Sequence, residues 1–312
     1  MSFSELASEI GTAAGRGNLS SASRPLTMPL FDALFPGWCA CNFREYRISF
    51  SPSMREHNMA DEYPIRYVAF IDILGFSGLV SRLKGDAELF AELRKILAEM
   101  RKPSEGFEKA FKGADFRLTT ISDAIAMSTA VSPAGLQHLI GAVETLAGRL
   151  ILLGYFIRGA IVKDHLCHDS EMVFGSGLVR AYSLESTVVT YPRVMVAREV
   201  VLDFKQYDAD GLVQEFFKEA LKRSKDGPYY LHFFRFFEIV KKPKNEDHRK
   251  QFLERIVKMR DQIERRLEEA VDNPRHYQKV HWLADYFNET FYRVDGVKMI
   301  EAPGLEITLA VS

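Results

Sequence analysis

The sequence predicts an α+β fold, a ferredoxin-like mixed sheet with helices on one face, followed by a helical C-terminal appendage. Three observations carry this reading. From Tyr63 onward the apolar patterning runs β-α-α-β-β-α-β-α-β, an alternation too irregular for a doubly wound sheet. The segment before it has no sustained period. After about residue 205 the chain becomes strongly charged and aromatic, in stretches of helical length.

Residues 1–60 are rich in Ser, Gly and Ala around one isolated apolar piece, MPLFDALFPGWCACNF, and are expected to be poorly ordered. Met59 stands just before the regular pattern, so this segment reads either as an N-terminal extension that docks on the domain or as sequence upstream of the true start. Ile65–Ile73 is the first strand. Gly75 then opens helical sequence that continues through AELFAELRKILAEM. Phe116–Ile121 forms the second strand and AIAMST, beyond Ser122 and Asp123, the third. Ser132 suits an N-cap with Pro133 at the first helical position, which launches a helix to about Leu153. After Gly154 come the strand YFIRGAIV, the polar loop KDHLCHDSEM, a helix over Ser176–Glu185 and the strand TVVTYPRVMV. These elements make one domain, residues 61–205. In the appendage, 206–312, YYLHFFRFFEI is a strand candidate, roughly Glu246–Val271 a charged helix supported by i,i+4 pairs, and KVHWLADYFNETF part of a last helix.

Composition narrows the function classes. At 312 residues and 47% hydrophobic content the chain can bury a real core in one large domain or two modest ones. A net charge of −1 supplies no basic field for nucleic acid, so any polyanion it holds is small and held locally. Cys39, Cys41 and Cys167 make no disulfide framework, which fits a reducing compartment. No apolar run approaches a membrane span, and Glu5 and Glu9 stand where a signal peptide would carry basic residues. The expected location is the cytoplasm, with no membrane partner.

Asp72 interrupts the apolar run FIDILGFS. A carboxylate in such surroundings must neutralise, pair with a cation or coordinate a metal. Asp123, at the turn in TTISDAIAMST, occupies the same kind of position, and adjacent antiparallel strands can bring both to one sheet edge. Two aspartates converging this way suit magnesium or manganese, which take hard oxygen ligands and substrate phosphates. Gly75 frees the backbone to turn after the strand, so the amides of Leu74, Gly75, Phe76 and Ser77 can receive phosphate oxygens at a helix N-terminus. The group His165, Cys167, His168 and Asp169 has zinc-like chemistry, but it is crowded into one loop, and a surface hairpin is the preferred reading.

FIDILGFS resembles the F-x-D-I-x-G-F segment of class III nucleotidyl cyclases, LTTISDAIAMS their E-T-I-G-D-A hairpin, and VFGSGLVRAYSLES their F-G-x-x-V-N-x-A-S-R-x-E-S helix. The resemblance covers roughly residues 63–196 and implies a class III cyclase core. It implies two metal ions held by Asp72, Asp123 and the backbone carbonyl of Ile73, and it assigns Phe70 to the nucleotide site. The family's transition-state asparagine and arginine fall on Val179 and Ser183, leaving Arg158 or Arg180 to supply the cation. Positions that read purines hold Arg117, Thr119 and Met172. That departure is most similar to the pyrimidine cyclases of Pycsar antiphage systems, and implies conversion of UTP or CTP to a cyclic mononucleotide read by a separate effector. It also implies a homodimer and a preference for manganese. UTP is expected over CTP because uracil offers two carbonyl acceptors to a donor such as Arg117. Two other classes stay open, a purine cyclase with relocated base contacts and a degenerate cyclase-like module that binds nucleotide without turnover.

Overall fold

The computed structural model describes residues 63–101, 111–241 and 245–301. The expectations for residues 1–60 and for a start at Met59 lie outside them. The fold is α+β, built on a seven-stranded mixed sheet with helices at its C-terminal end.

β1 (Ile65–Leu74) is the central element. Its residues alternate between two buried faces, which explains why the run is apolar nearly throughout. A left-handed residue, Gly75 with φ 77°, ends it and caps α1 (Phe76–Leu83), which is followed by α2 (Ala87–Arg101). β2 (Arg117–Ile121) and β3 (Ala124–Ala130) form a tight hairpin whose turn holds Ser122 at φ 56°. α3 (Pro133–Leu152) starts as its sequence predicts, with the Ser132 hydroxyl accepting from the Gly135 amide.

β4 (Phe156–His165) is as long as β1 and pairs with it over ten positions. The polar loop after it folds into a small hairpin, β5 (Cys167–His168) and β6 (Val173–Phe174), before α4 (Ser176–Thr187). Of the expected strand TVVTYPRVMV only β7 (Val194–Val196) pairs. In the remainder Arg193 is buried and pairs with Asp226.

Beyond it α5 (Arg198–Ala209) leads to β8 (Leu221–Arg223) and β9 (Tyr229–Leu231), which extend the same sheet. The strand order is β2-β3-β1-β4-β7-β9-β8, antiparallel except at β4–β7. The aromatic run is strand only at Tyr229–Leu231. Arg235–Lys241 turn into a 3-10 helix, which lets Phe233, Phe234, Phe236 and Phe237 all become buried, as a strand's alternation would not. α6 (Glu246–Glu269) and α7 (Pro274–Phe291) follow, each started by an asparagine N-cap.

Tyr67, Ala69, Ile71 and Ile73 of β1 face the main core, shared with α2, α3, α6 and α7. Arg235 bridges that core to the fully buried Glu144 of α3, a pair that holds the 3-10 segment in place. The opposite face, with Val68 and Phe70, is covered by the single helix α4 through Ala181, Leu178 and Leu184. Asp72 belongs to this thinner side by strand alternation.

Candidate active site

Strand register brings the first partner to Asp72. Asp72 stands opposite Arg158 on β4 and opposite Ala124 on β3, and opposed residues share a face. Arg158 Nη2 lies 3.3 Å from Asp72 Oδ2, the same nitrogen pairs closely with Glu185 of α4, and Nη1 donates to the Val189 carbonyl at 3.4 Å. Glu185 is only 3% exposed. It lies one helical turn beyond Ala181 on the inward face of α4, so an acid in that apolar stripe was the signal sequence reasoning passed over.

Asp123 arrives through the β2–β3 turn. Its carbonyl accepts from the Ile73 amide at 3.1 Å, which fixes the turn against the end of β1. Asp72 sits above its ordinary carboxylate value, first because it is partly buried; Arg158 pulls it down and the Asp123 charge pushes it up again. Burial likewise raises Glu185, with Arg158 opposing and Asp72 reinforcing. Asp72 and Glu185 thus share one guanidinium, and the Asp123 charge is close enough to act on Asp72. A surplus of negative charge on oxygen donors fits a hard divalent cation, which needs only one or two carboxylates when phosphates complete its shell. Among the described residues no group of three or more His, Cys, Asp or Glu is arranged to hold a metal, and the zinc-like loop is a hairpin.

The Gly75 turn adjoins this pair. Gly75 is exposed and left-handed, so a side chain there would be strained. Its carbonyl accepts from the Leu79 amide at 3.0 Å, and the Phe76 and Ser77 amides sit in the first turn, where helical partners are lacking. Phe70 packs edge-on to Tyr182 of α4 at 5.4 Å between ring centres, and Leu74 and Phe76 lean on the main core.

The residues expected to read the base form a separate polar network. Arg117 Nε donates to Asp115 at 2.9 Å and Nη1 to the His168 carbonyl at 3.0 Å. Thr119 Oγ1 is 3.0 Å from His168 Nε2, and Ser128 Oγ is 2.9 Å from His168 Nδ1. Burial, reinforced by the Arg66 and Arg117 charges, lowers the His168 pKa to about 4, so the ring is neutral at pH 7. His168 is therefore a second residue that the sequence reading did not assign to this network. Met172 is exposed at the tip of the β5–β6 hairpin.

The structure brings Arg158, not Arg180, to the carboxylates. Arg180 pairs instead with Glu199 of α5 at 2.7 Å. Val179 and Ser183 point outward on α4, Val179 being 67% exposed.

No protein-family model and no curated protein matches this chain. Among solved structures it is similar to the monomeric guanylyl cyclase domain of the RhoGC fusion protein from the aquatic fungus Blastocladiella emersonii, at 17% identity and TM-score 0.35, covering 54% of this chain and 95% of that one. It is also similar to a class III adenylyl cyclase-like ATP-binding protein from Pseudomonas aeruginosa, at 11% identity and TM-score 0.32, over 57% and 42% of the two chains. A third likeness is to an adenylate/guanylate cyclase/hydrolase from Silicibacter pomeroyi, at 15% identity and TM-score 0.29, over 54% and 95%. At these scores the likenesses assign no activity to this chain.

Proposed function

We propose that this chain is a nucleotidyl cyclase that converts UTP to 3',5'-cyclic UMP and pyrophosphate, with CTP as the alternative pyrimidine. The observation that carries the reading is the meeting of Asp72 and the Asp123 turn beside the left-handed Gly75, at the positions the sequence resemblance marks. In this reaction the ribose 3'-oxygen forms a bond to the α-phosphorus, the bond from that phosphorus to the bridging oxygen of the β-phosphate breaks, and pyrophosphate leaves. The 3'-hydroxyl proton passes to water.

Asp72 and Asp123, with the Ile73 carbonyl, would hold two manganese or magnesium ions. Bound there, the ions neutralise phosphate charge and make the 3'-hydroxyl easier to deprotonate. Arg158 keeps the Asp72 carboxylate aimed and charged, and Glu185 orients Arg158. The Phe76 and Ser77 amides supply donors to phosphate oxygens. Arg117, Thr119 and His168 make the polar wall against which the base is selected. The exposed apolar side chains of Val179 and Tyr182 on α4 and of Met172 and Phe174 on the hairpin support a homodimer. The cyclic product then serves as a second messenger in antiphage defence, read by a separate effector. Among the described residues no helix is long and apolar enough to cross a membrane.

A second reading, a module that binds nucleotide without turnover, is favoured by one observation: Arg158 is already engaged by two carboxylates. Incubation with an equal mixture of the four nucleoside triphosphates and manganese separates the two. Cyclic UMP is the expected main product, and Asp72→Asn or Asp123→Asn abolishes it with the fold intact. Cyclic AMP or GMP as main product overturns the pyrimidine assignment, and nucleotide binding without any cyclic product establishes the second reading.

A further inference from the structure

α6 and α7 lie far along the chain from the segments that build the site, yet they return to its phosphate end. Arg266 of α6 donates from Nε to the Gly154 carbonyl at 3.0 Å and pairs through Nη1 with Glu269 at 3.0 Å. Its guanidinium also stands over the Tyr155 ring, 5.5 Å from the centroid. Those contacts lock the side chain and leave Nη2 without a hydrogen-bond partner among the described residues. That nitrogen lies 3.6 Å from where a Cβ on Gly75 would stand. A cation is thus held rigidly at the turn whose amides face the candidate phosphate position.

Lys279 of α7 reinforces it. It stands one helical turn before Trp282, whose ring stacks on Tyr191 at 5.6 Å, two residues beyond the Val189 carbonyl that accepts from Arg158, so α7 runs past the Arg158 end of the site and the Lys279 charge acts on Asp72 and Glu185. Lys279 makes no ion pair among the described residues. Two cations from separate helices, one fixed and one uncommitted, flank the left-handed turn and the carboxylate pair. A guanidinium nitrogen without a partner and an unpaired ammonium are ordinary donors to phosphoryl oxygens.

We infer that Arg266 and Lys279 grip the β- and γ-phosphates of the nucleoside triphosphate, so that the C-terminal helix pair completes the active site within one protomer. The inference rests on the cyclase reading. It offers a source for the phosphate-neutralising charge that α4, with Val179 and Ser183, does not provide. The grip strengthens as charge moves to the departing pyrophosphate, which the two cations neutralise.

The test uses inorganic tripolyphosphate with manganese, a probe that carries no base, and follows binding to the full chain by calorimetry. Wild type is expected to bind it, Asp72→Asn to weaken it, and Arg266→Gln with Lys279→Gln to weaken it at least tenfold. Lys258→Gln, an exposed change on α6, is the charge control. Thermal unfolding verifies each fold, and the single Lys279→Gln change, which breaks no ion pair, is expected to weaken binding at least threefold. Binding by the double variant equal to wild type, with Asp72→Asn still weak, overturns the inference and leaves the cyclase reading standing. Binding that ignores Asp72→Asn but falls equally with Lys258→Gln reports nonspecific charge and overturns both. With UTP, the Arg266 and Lys279 variants lower kcat/KM without altering the ratio among the four nucleotides; an altered ratio would assign them to the base instead.

Discussion

Replacing Arg158 by Met keeps most of the side-chain volume and removes the charge that Asp72 and Glu185 share. Breaking a buried ion pair costs about 3–5 kcal/mol because the remaining charge stays desolvated. Here Glu185 is almost sealed from solvent, with 4% of its side chain exposed, while Asp72 and Arg158 are about one-fifth exposed, at 20% and 19%. Solvent at the partly exposed Asp72 and Arg158 positions relieves part of the penalty, which argues for the lower end, about 3 kcal/mol. For a domain of this size such a loss moves Tm down by roughly 6–12 °C. Thermal unfolding followed by circular dichroism at pH 7.5 without added metal measures it. Glu185→Gln alone also destabilises, but the Arg158→Met/Glu185→Gln double variant is expected to lose less than the sum, by about 1–3 kcal/mol of coupling. The deficit of Arg158→Met should shrink on acidification, as the two carboxylates take up the protons that replace its charge. An unchanged Tm for Arg158→Met, or strict additivity with Glu185→Gln, would refute the view that Arg158 serves the carboxylates and would free it to act on substrate directly.

Two further predictions concern pH and base choice. His168 and His232, each lowered to about 4, and His138, lowered to about 3, are held neutral in the fold chiefly by burial. In the unfolded chain they take up protons below about 6.5. Stability is therefore full above that pH and falls as the pH drops toward 5, by up to about 1.4 kcal/mol per unit for each histidine. Tm measured from pH 7.5 to 5 tests this, and His138→Phe, whose ring can keep the stack on Phe116, should flatten the slope; a wild-type Tm independent of pH over that interval contradicts it. Arg117→Ala is expected to narrow the preference for UTP by about 1–3 kcal/mol, the worth of one hydrogen bond. Specificity constants for all four nucleotides provide the measurement, and unchanged ratios would confine Arg117 to its contacts with Asp115 and His168.

Whatever depends on neighbouring residues was legible in the sequence. The apolar run of β1, the glycine needed at φ 77°, the Ser132–Pro133 helix start and the Ser122–Asp123 turn are each set by local sterics, capping or side-chain period. The proximity of Asp72 and Asp123 followed because a short hairpin can meet an adjacent strand in few ways. Where several conformations satisfy the same composition, the sequence was ambiguous. YYLHFFRFFEI is β-prone by type, but only a helical turn buries phenylalanines on both sides of it. TVVTYPRVMV shortened to Val194–Val196 because Thr187 still belongs to α4 and Pro192 has no amide to donate to a ladder. Partners distant in the chain were decided by tertiary structure alone. Arg158 meets Asp72 through β1–β4 register and Glu185 through the crossing of α4, and Arg266 reaches Gly75 only because α6 packs back against the α3–β4 turn. A sequence records which charges a chain carries. Which of them neutralise one another is fixed by distances of a few ångströms, and only the assembled core sets those.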